Sequence, residues 1–158
     1  MFTMQTSRYQ VQEVSADEAP IELLLEADPS LDRINEYLYK SKCFILSIRG
    51  ELAAVYVLLS TFPGGYELMN IAVSPQYQRR GIGARLLNHA IATSRELGAH
   101  RLEVGTGTFG HQLAFYQKAG FRVFSVERDF FLKNYENPIY ENGLQHKDML
   151  RLAIDFEA

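Results

Sequence analysis

Two glycine-rich turns carry the residue types and spacing with which a backbone holds an anion. The first is Val73-Ser74-Pro75-Gln76-Tyr77-Gln78-Arg79-Arg80-Gly81-Ile82-Gly83-Ala84, which leads from an apolar run into a helical pattern. Glycines at 81 and 83 let the chain approach a bulky ligand closely, and the free N–H groups of a helix's first turn attract an anion such as a pyrophosphate. The helix dipole alone gives about 0.3–1 kcal/mol at an exposed site, so Arg79 and Arg80 add direct charge pairing. The plain alternative is a turn with two solvated arginines. The second stretch, Gly105-Thr106-Gly107-Thr108-Phe109-Gly110, is a literal G-x-G-x-x-G between a strand-like and a helix-like segment, with Glu127 near the end of the next strand. It imitates a dinucleotide fingerprint, but too little chain follows Gly110 for further βα units, which favours a flexible strand-to-helix loop.

Such turns need a scaffold, and hydrophobic periodicity supplies one. Tyr9 to Val14 alternates with period two and reads as a strand, while Ile21 to Leu25 and Leu31 to Tyr39 have helical spacing around Pro29. Cys43 to Ile48, Leu52 to Leu59 and Tyr66 to Val73 form a meander broken at Arg49-Gly50-Glu51 and Pro63-Gly64-Gly65. Ile82, Leu86, Ala90 and Leu97 recur at helical intervals up to the stop at Gly98. Arg101 to Val104, Phe121 to Val126 and Met149 to Ile154 read as strands, and His111 to Lys118 as a short helix. Asp129 to Lys147 has no clear period and reads as an ordered surface loop, a candidate lid. The order predicts an α+β or mixed α/β fold on one central sheet, with residues 1–158 forming one domain. The long helix makes strands Tyr66 to Val73 and Arg101 to Val104 parallel neighbours.

Composition narrows the function classes. The chain has 158 residues, of which 47% are hydrophobic and 12% aromatic, enough for a sizeable core. A formal net charge of -3 gives no global cationic field, which argues against nucleic acid and anionic membrane as partners. The longest greasy run, Leu52 to Leu59, falls short of the roughly 18 apolar residues that span a bilayer. Met1 to Gln10 is polar and lacks the pattern of a secretory signal, so the cytoplasm is the expected location. Cys43 is the only cysteine and no Cys/His set has the spacing of a metal site, so no metal is expected.

Asn70-Ile71-Ala72-Val73-Ser74-Pro75 followed by Gln78-Arg79-Arg80-Gly81-Ile82-Gly83 resembles the acetyl-CoA signature of the GNAT superfamily of N-acetyltransferases, Gln/Arg-x-x-Gly-x-Gly/Ala. Leu102-Glu103-Val104, then Ala114-Phe115-Tyr116-Gln117-Lys118-Ala119-Gly120-Phe121, is similar to the family's second motif with its FYxKxGF core. The two matches run from about Tyr66 to Phe121, with the expected helix between them. Where many members carry a loop asparagine, this sequence has Gly107-Thr108-Phe109-Gly110-His111-Gln112.

The resemblance implies a GNAT-like, mostly antiparallel sheet flanked by helices, whose parallel strand pair splays apart to admit a pantetheine arm. It implies acetyl-CoA as co-substrate, held by Ile71, Ala72 and Val73 and by Gln78, Arg79, Arg80, Gly81, Ile82, Gly83 and Ala84. Acetyl would pass directly from thioester to amine, so Cys43 is not needed as a nucleophile. Tyr116 matches the tyrosine that serves much of the family as general acid, with a packed core tyrosine as the alternative. Glu103 matches a glutamate on the second motif strand and is the first candidate for the base; Glu67, on the first motif strand, is the second, unless it is a solvated strand glutamate. A backbone N–H at Ile71 would steady the oxyanion. Among the histidines, His111 beside the CoA-side loop merits a test. A homodimer is a further expectation from the family.

The acceptor must be read by segments outside these motifs, chiefly residues 20 to 40 and 129 to 147. Asp129, Glu136 and Glu141 among Phe130, Phe131, Tyr135 and Tyr140 would suit an amine, unless they form an ordinary acidic surface. The leading function is therefore an acetyl-CoA-dependent N-acetyltransferase for a small-molecule, peptide or protein amine. The rivals are a non-catalytic acyl-CoA-binding module and, from Gly105 to Gly110, an NAD-dependent oxidoreductase.

Overall fold

A computed structural model describes residues 8–156, so Met1 to Ser7 of the polar start lie outside the described residues. Strand β1 (Tyr9–Val14) is followed by a 3-10 turn and two short helices, α1 (Ile21–Ala27) and α2 (Leu31–Leu38). The meander is β2 (Lys42–Ile48), β3 (Glu51–Phe62) and β4 (Gly65–Val73), and the long helix α3 spans Ile82–Glu96. Then come β5 (Arg101–Gly107), α4 (His111–Lys118), β6 (Arg122–Glu127), α5 (Phe130–Asn134), a small hairpin of β7 (Tyr140–Glu141) and β8 (Leu144–Gln145), and β9 (Met149–Asp155).

Seven strands form one sheet in the order β1-β2-β3-β4-β5-β9-β6, antiparallel at every pair except β4 with β5. This is the mostly antiparallel, helix-flanked sheet that the family resemblance implies. The parallel pair is short: only Gly65, Tyr66 and Glu67 face Arg101, Leu102 and Glu103. Beyond those residues the two strands part company, leaving a cleft at the sheet's centre.

Both faces of the sheet are covered where β3 lies, so residues 53–58 of that strand are buried on both sides rather than alternately exposed. Its Tyr56 and Leu58 join Leu86, Leu87 and Ala90 of α3 in one core cluster. Val55 and Val57 point the other way, into a cluster with Leu23, Leu24, Ile34 and Leu38 of α1 and α2. Ser30 caps α2 by accepting a hydrogen bond from the Arg33 amide at 3.2 Å, which fixes the break at Pro29 between the two helices.

Two expectations are corrected. The stretch 129–147, expected as an ordered surface loop without regular elements of its own, carries them: Phe130–Asn134 forms a helical turn and Tyr140–Gln145 a hairpin whose Asn142 and Gly143 have positive φ. A two-residue strand is too short to display a period, which is why the pattern is silent there. Strand β5 also runs to Gly107, beyond the predicted end at Val104, so two glycines of the G-x-G-x-x-G lie inside a strand.

Candidate active site

Two cavities open on the cleft. The first, of about 560 Å³, lies along the end of β4 and the start of α3, and six of the ten residues predicted to hold acetyl-CoA line it: Ile71, Ala72, Val73, Gln78, Arg79 and Gly83. Gly81 caps α3 with φ 77°, Arg79 has φ 64°, and no side chain caps the helix or places an acid in its first turn. The first amides of a 15-residue helix are therefore left for an anion. Gln78 Nε2 donates to the Val73 carbonyl at 3.0 Å, pinning the turn to the strand end. Tyr77 donates to Glu51, anchoring its base, and Arg80 lies over the Tyr77 ring at 5.6 Å. The other four predicted residues do not line the cavity: Ile82 is buried in the core, Arg80 and Gly81 are exposed on the turn, and Ala84 is exposed in the first turn of α3.

The second cavity, of about 640 Å³, meets the first at Ala27, His111 and Gln112, which line both. Its floor is a charge network on the sheet. Arg151, largely buried, donates to Glu67 at 2.9 Å and to Glu103 at 3.1 Å and stands 3.7 Å from Glu127. Arg101 donates to Glu103 at 3.0 Å. The structure thus brings both candidate bases together on one guanidinium. Glu67 lines the cavity and Glu103 does not. Glu67 is accordingly no solvated strand glutamate, its side chain being 18% exposed and ion-paired.

Tyr116 packs in the core between Phe115 and Phe121, with ring centroids 5.3 and 5.6 Å away, and lines neither cavity; its neighbour Phe115 lines the first. Burial pushes its phenol well above the ordinary tyrosine value, so it holds its proton throughout the neutral range. Cys43 is buried and its thiol is pushed up to about 11 by burial and then by Glu13, which suits a core residue and not a nucleophile.

The cavity wall comes from segments far apart in sequence. Asp28, at the end of α1, is buried and accepts from the Tyr37 hydroxyl at 3.1 Å, the Tyr135 hydroxyl at 2.9 Å and the Ser30 amide at 3.2 Å. Burial, with Asp28 beside it, pushes the Tyr135 phenol up to about 12. His146 is buried, stacks on Phe109 at 4.1 Å and shares a 2.9 Å hydrogen bond with Glu141. The other Glu141 oxygen stands 3.5 Å from His111. Of the three carboxylates predicted for residues 129–147, only Glu141 lines the cavity, whereas all four predicted aromatic residues do.

These contacts also explain the G-x-G-x-x-G. A Cβ on Gly107 would collide with the His146 ring, one on Gly110 would lie 2.6 Å from the Glu141 carboxylate, and one on Gly105 would lie 2.5 Å from the Met149 sulfur. The glycines clear space for side chains of this same chain. The dinucleotide reading is overturned, because the motif's glycines are occupied by the protein itself. Asp28, Arg33, His146 and Arg151 escape sequence reasoning because each has a partner on a distant segment: Tyr135 for Asp28, Phe130 for Arg33, Phe109 for His146 and Glu67 for Arg151. Among the described residues no group of three or more His, Cys, Asp and Glu is arranged to hold a metal, and no helix is long and apolar enough to cross a membrane.

The chain is similar to known proteins over nearly its whole length. Residues 9–121 match the model of the acetyltransferase (GNAT) family. The uncharacterized N-acetyltransferase YvbK of Bacillus subtilis (strain 168) is 46% identical over 153 residues, covering 96% of this chain and 98% of that protein. A GNAT family acetyltransferase from Elizabethkingia anophelis, solved with acetyl-CoA bound, superposes with a TM-score of 0.91 at 34% identity over 94% of this chain and 99% of that one. An acetyltransferase of Bacillus subtilis solved in complex with CoA superposes with a TM-score of 0.86 at 45% identity, covering 95% and 99% of the two chains. With a cradle of this geometry and relatives of this coverage, the chain belongs to the GNAT family and is an acetyl-CoA-dependent acyltransferase.

Proposed function

We propose that the protein transfers acetyl directly from acetyl-CoA to an amine of a small molecule or peptide, the amine occupying the cavity of Glu67, Glu141 and Arg151. The observation that carries this reading is the meeting of two cavities at Ala27, His111 and Gln112. One is built of backbone and a helix terminus suited to pyrophosphate and pantetheine. The other holds four carboxylates, Asp28, Glu67, Glu127 and Glu141, against the arginines 33 and 151, a balance that favours an ammonium.

In this reading Glu67, through a water, takes the proton that the amine must lose to attack, and Glu103 positions it by sharing Arg151. The backbone N–H of Ile71 steadies the oxyanion, and Tyr116, packed behind the cavity-lining Phe115, returns a proton to the departing thiolate through a water. An amine panel followed by CoA release and product mass tests the function. Acetylated amine in step with CoA supports it, and binding of acetyl-CoA with no amine acetylated contradicts it.

A further inference from the structure

The two arginines of the acceptor cavity are in opposite states. Arg151 is saturated, with carboxylates of Glu67, Glu103 and Glu127 around it. Arg33 is in no ion pair among the described residues, although it lines a cavity with four acids. Asp28, five positions earlier, is already engaged by Tyr37, Tyr135 and Ser30. The Arg33 guanidinium lies over Phe130 at 5.1 Å and Tyr135 at 5.4 Å, and its Nε is buried with no hydrogen-bond partner. The two ring centroids are only 6.4 Å apart and so do not enclose the guanidinium, whose remaining N–H edge matches a carboxylate in two parallel hydrogen bonds. An arginine that lines a cavity and is in no ion pair presents its terminal N–H groups to an anion there.

We propose that Arg33 receives an anionic group, foremost a free carboxylate, on the acceptor, so that the acceptor is a zwitterion of the amino-acid type with an apolar or aromatic body. This deepens the acetyl-transfer reading above and rests on it. The amine end of such a molecule is met by the acids of the cavity, its body by Phe109, Phe130 and Phe131, and its carboxylate by Arg33. A simple diamine would meet the acids equally well but would bring a second cation toward an unpaired guanidinium.

Matched trios test this: phenylalanine, phenylalaninamide and phenethylamine, with the corresponding sets for methionine and leucine, at saturating acetyl-CoA. The free acids are expected to exceed their amides by about tenfold or more in kcat/KM, carried by KM, as a charge-assisted pair implies. The bias of amine chemistry runs the other way, since α-amino amides are less basic and more fully neutral. Arg33→Gln is expected to bring acid and amide within about twofold by lowering the acid alone, with Arg33→Lys between the two. Free acids no better than amides in the unaltered protein would overturn the proposal. So would an Arg33→Gln variant that slows all three members alike, the result of a purely structural stack on Phe130 and Tyr135. Acetylation of no member, with acetyl-CoA binding intact by calorimetry, also overturns it. Absent acetyl-CoA binding would instead strike the underlying reading.

Discussion

Removing one hydroxyl from Tyr116 separates its two possible duties. The ring fills a core position against Phe115 and Phe121, and a phenylalanine keeps that packing. Tyr116→Phe is expected to change stability by no more than about 1.5 kcal/mol, a hydrogen bond's worth, and to leave acetyl-CoA affinity intact. Turnover should fall by about 10²–10⁴-fold, or somewhat less where water substitutes for the lost acid. Unchanged turnover per folded molecule, read from steady-state rates beside a melting curve, would leave Tyr116 a packing residue. Glu67 and Glu103 differ in a way that kinetics can read: both bond Arg151, but only Glu67 reaches the cavity. Glu67→Gln should lower kcat while leaving acetyl-CoA affinity intact. Glu103→Gln should do less to kcat, because it loosens Arg151 without removing the group that meets the amine.

At the level of elements, the start of α3 offers a clean substitution. A Cβ on Gly83 would make only ordinary contacts, 3.6 Å from Phe115 and from Val73, so Gly83→Asp is expected to fold. An acid in the first turn even favours the helix by about 0.3–1 kcal/mol. It also sets a negative charge in the cradle, and acetyl-CoA affinity measured by calorimetry should drop at least about tenfold. Unchanged affinity in the folded variant would remove the pyrophosphate from this turn. Gly107→Ala acts on the other side: the added methyl displaces His146 and with it the Glu141 contact, so the KM for the acceptor should rise while acetyl-CoA affinity holds.

The contrast between these elements also explains what the sequence discloses. The cradle is legible because strand end, turn and helix start are contiguous, from Ile71 to Gly83, and each glycine or arginine is read against its neighbours. The acceptor cavity is not, because its contacts join segments far apart: the Tyr135 hydroxyl reaches Asp28 across 107 positions. Arg151 sits in a short, mostly apolar run that reads as the strand β9 and says nothing of the carboxylates on β4, β5 and β6 that surround it. The glycines of 105–110 are visible as a motif, yet their cause, the side chains of His146 and Glu141, emerges only when the hairpin folds over them.

For the whole molecule, buried phenols set an upper limit of pH. Tyr37, Tyr56 and Tyr116 are all raised, first by burial, and Tyr135 is pushed up to about 12. An acid whose folded pKa exceeds its unfolded one contributes stability that is complete below the unfolded value, about 10, and is lost as pH rises through the folded value. Denaturant unfolding should therefore give a stability that declines from about pH 10 upward, by up to about 1.4 kcal/mol per pH unit for each such tyrosine. Replacing Tyr135 by phenylalanine should remove one increment of that slope. A stability unchanged between pH 8 and 11 would contradict the burial of these hydroxyls.

The central claim is a direct passage of acetyl from one cavity to the other, and a single turnover with carbon-13-labelled acetyl-CoA tests it most directly. The protein in excess is mixed with label and an amine acceptor, quenched, and both protein and small molecules are weighed by mass spectrometry. The account predicts labelled acetyl on the acceptor nitrogen in step with free CoA, and an unmodified protein at every time point, Cys43 included. Label appearing first on the protein and only then on the acceptor would contradict it.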